Sequence, residues 1–194
     1  MQYQIYHPMS RQNKIYPGLI CNALEFFHDG YELRVLSGGI LKSFRDLPYY
    51  FIQLIREKIA ERAEVETELM RMHPDSEMKR IEQYAICNFS GLDYEPDIIK
   101  GVLQEGEYWD CPKRGICPGE GKICKQLTYN GHTISFQEIR MIKLLVTDMT
   151  NEVMAETLFL PMGTFHKIKK NLYQKLDVYT KQEIALIAIG LNII

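Results

Sequence analysis

Four cysteines, Cys87, Cys111, Cys117 and Cys124, recur as C-x23-C-x5-C-x6-C, and the last three lie in YWDCPKRGICPGEGKICK, where Pro and Gly bend the chain around each thiol. Four thiolates converging on one ion would cross-link an otherwise irregular stretch, as a structural zinc does. The spacing lacks paired C-x2-C knuckles. An iron–sulfur cluster accepts the same donors at varied spacing, with Lys113, Arg114, Lys122 and Lys125 able to offset thiolate charge. Zinc, about one per chain, is the leading expectation, and an iron–sulfur cluster that would bring redox control is the alternative. Buried, unliganded thiols are the plain reading. Cys21, beside Ile20 and near Leu24 and Phe26, fits that plain reading better.

A second group is cationic. From Lys167 to Lys181 there are five lysines (Lys167, Lys169, Lys170, Lys175 and Lys181) against one acid, Asp177. Lysines in this density meet phosphate as point charges, and an adjacent Asn171 can pair with adenine in a major groove. A solvated Lys-rich helix face is the bland alternative. Other chemistry is sparse. Asp93, Glu95 and Asp97 in LDYEPD read as a solvated turn. His7, His28, His73 and His132 are scattered without nucleophile or metalloprotease spacing. No phosphate loop or dinucleotide fingerprint occurs, so an enzyme is not expected.

The bulk composition sets the frame for these groups. The chain has 194 residues, 46% hydrophobic and 25% charged, with a net charge of -2, so nucleic-acid binding would have to rest on a local basic face rather than a whole-chain field. No apolar run approaches the ~18 residues of a membrane span, and MQYQIYHPMSRQNK lacks a signal-peptide core, so a cytoplasmic protein without membrane contact is expected. Five cysteines, an odd number, do not suit a disulfide framework.

The elements that must position these residues fall into three regions. Up to about Leu47, aromatics alternate with turn signals, and Asp29-Gly30 could join two strands. From Pro48 the apolar positions Ile52, Ile55, Ile59, Ala63, Leu69 and Met70 predict one long helix ending before Pro74. A further helix follows with Met78, Ile81, Tyr84 and Ala85. Residues 88 to 125 read as irregular, a length that usually needs a ligand or ion to be ordered. From about Thr133 the helical pattern returns. Ser135 with Glu138 and Thr180 with Glu183 form capping boxes, and Thr150 can cap a short helix between them. A helix of about 162–176 places Phe165, Ile168, Leu172, Tyr173 and Leu176 on one face and most of its polar residues elsewhere. The expectation is a mainly α protein, with an α-rich N-terminal region (1–127) carrying a Cys-rich irregular segment (87–125) and a four-helix C-terminal domain (133–194).

The run ISFQEIRMIKLLVTDMTNEVMAETLFLPMGTFHKIKKNLYQKLDVYTKQEIALIA resembles the LuxR/GerE-type helix-turn-helix domain over its full length. Ile134, Ser135 and Glu138 match the family's opening. Asn151, Met154 and Ala155 match its second helix, Gly163, Thr164 and Phe165 its entry to the recognition helix, and Asn171, Leu172, Tyr173, Lys175, Leu176 and Val178 that helix's end. The resemblance implies a transcriptional regulator binding double-stranded DNA. Thr164, His166, Lys167, Lys170 and Asn171 would enter the major groove, Lys169 and Lys175 would lie nearer phosphates, and the last helix would pair two copies. Val153, Pro161 and His166 depart from the family pattern, so neither the turn geometry nor the base preference carries over. The N-terminal region resembles neither a receiver nor an acyl-homoserine-lactone domain. A second expectation, of another class, is an adaptor that holds a partner such as RNA polymerase and contacts DNA weakly.

Overall fold

The computed structural model describes residues 15–191 and 193–194; the N-terminal stretch read for a signal peptide, and with it His7, lies outside the described residues. Strands β1 (Glu25–His28), β2 (Leu33–Ser37) and β3 (Ile40–Ser43) form an antiparallel sheet in that order. The Asp29-Gly30 turn joins the first pair: Asp29 Oδ1 accepts from the amides of Tyr31 and Glu32, each at 2.9 Å. Gly38 and Gly39 close the second pair at φ 57° and 74°. Two consecutive left-handed residues make the tight hairpin turn that suits sheet twist, and glycine reaches them without a Cβ clash.

The single long helix expected from Pro48 is two helices, α1 (Tyr49–Ala60) and α2 (Ala63–Met72), broken at Arg62 with φ -132° and ψ 96°. The break has a packing cause. At about 100° per residue, Ile52, Ile55 and Ile59 share one stripe, while Val65 and Leu69 on the same axis would lie roughly a quarter-turn or more away. Re-aiming the chain at residues 61–62 buries both sets. Ala63 and Met70, assigned to the apolar face from the sequence, are exposed instead. Helix α3 (Glu77–Asn88) starts where the Ser76 hydroxyl accepts from the Lys79 amide.

Within the stretch expected to be irregular, β4 (Ile98–Ile99) and β5 (Val102–Leu103) make a small hairpin, and Ile98 bridges to Leu24 beside β1. Residues 104–127 carry no helix or strand. A further hairpin, β6 (Thr128–Tyr129) with β7 (His132–Thr133), turns through Asn130-Gly131 at φ 48° and 76°. The N-terminal half is thus α+β rather than simply α-rich. The described chain remains mainly helical.

Four helices follow at the positions the caps predict: α4 (Phe136–Leu145), α5 (Asn151–Thr157), α6 (Met162–Leu176) and α7 (Lys181–Gly190). Ser135 and Thr180 form complete capping boxes with Glu138 and Glu183, and the Thr150 hydroxyl accepts from the Val153 amide. Two hydrophobic cores divide the chain. The first gathers Phe26, Phe44, Ile55, Leu69, Ile81 and Phe89, and the second Ile142, Leu145, Met154, Phe165, Leu172 and Ile184. The division falls between Ile123, which belongs to the first, and Leu127, which belongs to the second. Among the described residues, no helix is long and apolar enough to cross a membrane.

Candidate functional site

Helix α6 is held by one face and exposed on the other. Phe165, Leu172 and Leu176 are buried in the second core, with Ile168 and Tyr173 packed against it. Taking ~100° per residue, Thr164, His166, Lys167, Lys170, Asn171 and Gln174 fall within about half a turn on the opposite side. All six are exposed. The helix begins at Pro161 (φ -58°, ψ 144°), whose fixed φ suits a helix entry, and no side chain caps it. The preceding turn reverses at Phe159, in the left-handed region at φ 56°, and the Leu160 amide donates back to the Ala155 carbonyl at 2.9 Å.

Two of the lysines do more internal work than the sequence suggests. Lys175 is half-buried, and its Nζ donates to both Glu138 oxygens at 2.7 and 2.9 Å, tying the end of α6 to the start of α4. Its charge is thereby engaged within the protein. Lys169 donates to Asn151 Oδ1 at 3.0 Å and lies 5.6 Å from the Tyr173 ring centre. Desolvation, with the nearby Lys181 cation adding, lowers its pKa below the usual lysine value. Lys169, Lys170, His166 and Tyr179 line a groove of about 650 Å³ along the end of α6. Two acids stand near this face, Asp177 in the lining of the groove and Glu152 beside His166. Glu152, at the start of α5, is held below the usual carboxylate range by its own amide and the Thr150 hydroxyl, with His166 adding a smaller pull.

The four cysteines of the sequence pattern occupy one neighbourhood, and all are free thiols. Cys87, in the last turn of α3, is buried and accepts from Gln83 Nε2 at 3.3 Å. Burial pushes its thiol up to about 12; the Gln83 bond opposes this, and the charges of Cys124, Cys111 and Cys117 add to it. Cys111 is also raised by burial, against a hydrogen bond from the Lys113 amide. The Glu120 amide donates to the Cys117 carbonyl at 3.1 Å in a reverse turn, and Cys124 packs against the first core. Among the described residues, no three His, Cys, Asp or Glu side chains already stand at metal-holding spacing. Cys21 is exposed and apart from this group, which departs from the burial expected of it.

A carboxyl cluster escaped the sequence reading. Asp97 is buried rather than part of a solvated turn, and its Oδ2 accepts from the Phe26 amide at 2.7 Å. Glu25 on β1 is fully buried; one oxygen accepts from the Asp93 amide at 3.0 Å, while Oε2 has no hydrogen-bond partner among the described residues. Glu107 accepts from the Gly91 amide at 2.7 Å and shares a side-chain hydrogen bond with Asp93. Burial is the main cause that lifts these acids, Glu25 to about 8, Asp97 to about 9 and Glu107 to about 10, and neighbouring carboxylates add to it. The only local hint was an acid set inside the apolar run Ala23-Leu24-Glu25-Phe26-Phe27.

The described histidines do not assemble. His28 stacks on Trp109 with centroids 6.2 Å apart, His73 meets Gln83 at 3.3 Å, and His132 is exposed on β7. No family model, curated protein or solved structure matches the chain at a significant level.

Proposed function

We propose that this chain is a sequence-specific DNA-binding transcriptional regulator of the LuxR/GerE helix-turn-helix type, with α6 as the helix that enters the major groove. The observation that carries this reading is the two-sidedness of α6: the apolar face is locked in the second core, while Thr164, His166, Lys167, Lys170 and Asn171 stand exposed together. Short helix α5 and the tight turn at Phe159 precede it in the order such a motif requires. Lys167 and Lys170 supply donors for guanine edges or phosphate, and Asn171 supplies the paired donor and acceptor that fit adenine. Lys169 and Lys170 line the groove at the helix end, where a phosphate backbone would run. Lys175 contributes by holding α6 to α4 rather than by touching DNA.

The outward face of α7 supports pairing of two copies. Leu186 is 71% and Ile189 59% exposed, an apolar surface that a small helical unit would otherwise leave in water. Two α6 helices related by a twofold axis would read half-sites about one helical turn apart. The test is selection of duplexes from a random pool, followed by titration of the selected and scrambled sequences at several salt concentrations. A preference of roughly 10³ or more for the selected duplex, lost on Asn171→Ala and Lys167→Ala, is expected. A ratio near unity would sink the regulator in favour of an adaptor.

A further inference from the structure

We infer that Cys87, Cys111, Cys117 and Cys124 form a tetrathiolate centre for one thiophilic divalent ion, and that its loading fixes residues 104–127 against α4 of the C-terminal helical unit. The thiols come from separate places in the chain but are brought to one region by ties that do not involve them. The Glu107 amide donates to the Asn88 carbonyl at 2.8 Å, anchoring the start of the segment beside Cys87. Arg114 donates to the carbonyls of Trp109 and Lys125, each at 3.2 Å, which draws the Cys111 turn to the residue after Cys124. The Gly115 amide donates to the Glu120 carboxylate at 2.6 Å, joining the Cys111 and Cys117 turns. Lys122 donates to Glu68 at 3.0 Å and holds the far end on α2.

The donor set is soft, since it holds no imidazole or carboxylate, and that composition selects zinc-like ions over calcium or magnesium. Lys113, Arg114 and Lys125 lie within the same segment and would offset the charge of the thiolates, while Lys122 is taken up by Glu68. The segment also needs such a staple. Between 104 and 127 the chain has no regular ladder, and Ile123 and Leu127 are its only fully apolar buried side chains. Binding would draw the sulfurs in to about 2.3 Å from the ion.

The far side of the same segment is seated on α4. Asp110 pairs with Lys143, and Tyr108 packs against the second core with the Arg114 guanidinium 4.2 Å from its ring centre. Gly115, at φ 85°, passes so close to Phe136 that a Cβ would stand 2.5 Å from the ring. Arg114, Tyr108 and Gly115 lie between or beside the thiols, so closing the centre orders the groups that hold α4. Helix α4 in turn holds α6 through Glu138 and Lys175. The effect on DNA affinity rests on the function proposed above; the metal site and the docking do not.

The full-length chain, purified without chelator, is expected to carry about one zinc. Reconstitution with cobalt should give thiolate charge-transfer absorption and the visible bands of a tetrahedral ion. Cys117→Ser and Cys124→Ser should abolish both, and Cys21→Ser should leave both unchanged. Removing the ion with a chelator should increase amide exchange in residues 104–127 and in α4, and weaken selected-duplex binding ~10-fold. Asp110→Ala leaves the thiols intact and serves if the cysteine variants misfold: it should keep the zinc yet raise exchange in α4. Protein lacking bound metal and unable to take up cobalt overturns the centre, as does an iron–sulfur chromophore. Metal binding with α4 exchange unmoved by chelation overturns the docking. Metal-dependent exchange without any duplex preference leaves this inference standing and removes the DNA-binding reading.

Discussion

Replacing Glu25 with Gln should stabilise the protein, increasingly so as pH rises. Glu25 is fully buried, its ordinary value of 4.5 is raised to about 8 chiefly by burial, and its Oε2 has no hydrogen-bond partner among the described residues. A raised acid is held protonated by the folded state after the unfolded chain has released its proton. Folding stability from that group is therefore intact below about pH 4.5 and is lost progressively up to about pH 8, at roughly 1.4 kcal/mol per pH unit. Undiscounted, the window gives on the order of 4 to 5 kcal/mol. Because Glu25, Asp97 and Glu107 titrate together, about half of that is a better expectation for one substitution. Gln keeps the acceptor for the Asp93 amide and removes the ionisable group. Urea midpoints of wild type and Glu25→Gln, taken from about pH 5 to about pH 8, should converge at the acid end and separate by roughly 2 kcal/mol at the other. Parallel curves, or a variant that loses stability faster with pH than the wild type, would refute the reasoning.

Three further outcomes follow from named contacts. Phe165→Ala, which empties a fully buried ring site in the second core, should cost about 3–5 kcal/mol and lower the thermal midpoint of the C-terminal helices. Thr180→Ala removes the hydroxyl that completes the α7 capping box; a loss of about 1 kcal/mol in chemical denaturation is expected, against no change if the cap is idle. Leu186→Asp places a charge on the exposed face of α7. It should leave the thermal midpoint within about 0.5 kcal/mol of wild type while shifting sedimentation from dimer to monomer, and an unchanged sedimentation coefficient would count against pairing through α7.

The C-terminal helices were legible because their boundaries are written locally. Ser135, Thr150 and Thr180 each accept from the amide three residues on, and such a bond depends on neighbours in sequence alone. The hairpin turns at Gly38-Gly39 and Asn130-Gly131 are equally local, each set by two adjacent residues in the left-handed region. The break between α1 and α2 is of another kind. Arg62 carries no Pro or Gly, and only the phase of Val65 and Leu69 against Ile52, Ile55 and Ile59 forces the turn. Tertiary packing there overrides a good helical run. The carboxyl cluster lay furthest from view, since Glu25 and Asp97 meet across 72 positions and nothing around Asp97 separates a buried acid from a solvated one. Within the candidate interface, exposure of Lys167, Lys170 and Asn171 followed from helical phase, whereas the pairing of Lys175 with Glu138, 37 positions away, did not.

The two ion pairs on α4 give the molecule a direction of coupling. Lys143 reaches from that helix to Asp110 in the cysteine segment, and Glu138 reaches from its first turn to Lys175 on α6. Both pairs are partly exposed, so neither contributes much stability alone. Their value lies in placement, because α4 is also packed against α5, α6 and α7 through Ile139, Ile142 and Leu145 in the second core. A change in the cysteine segment can therefore shift α4, and with it the buried side of α6, without passing through Thr164, His166, Lys167, Lys170 or Asn171. If α6 meets DNA as proposed, such an arrangement separates what the helix would read from how firmly it is presented: a signal acting through α4 would scale affinity for all sequences, while substitutions on the exposed face would change preference among them.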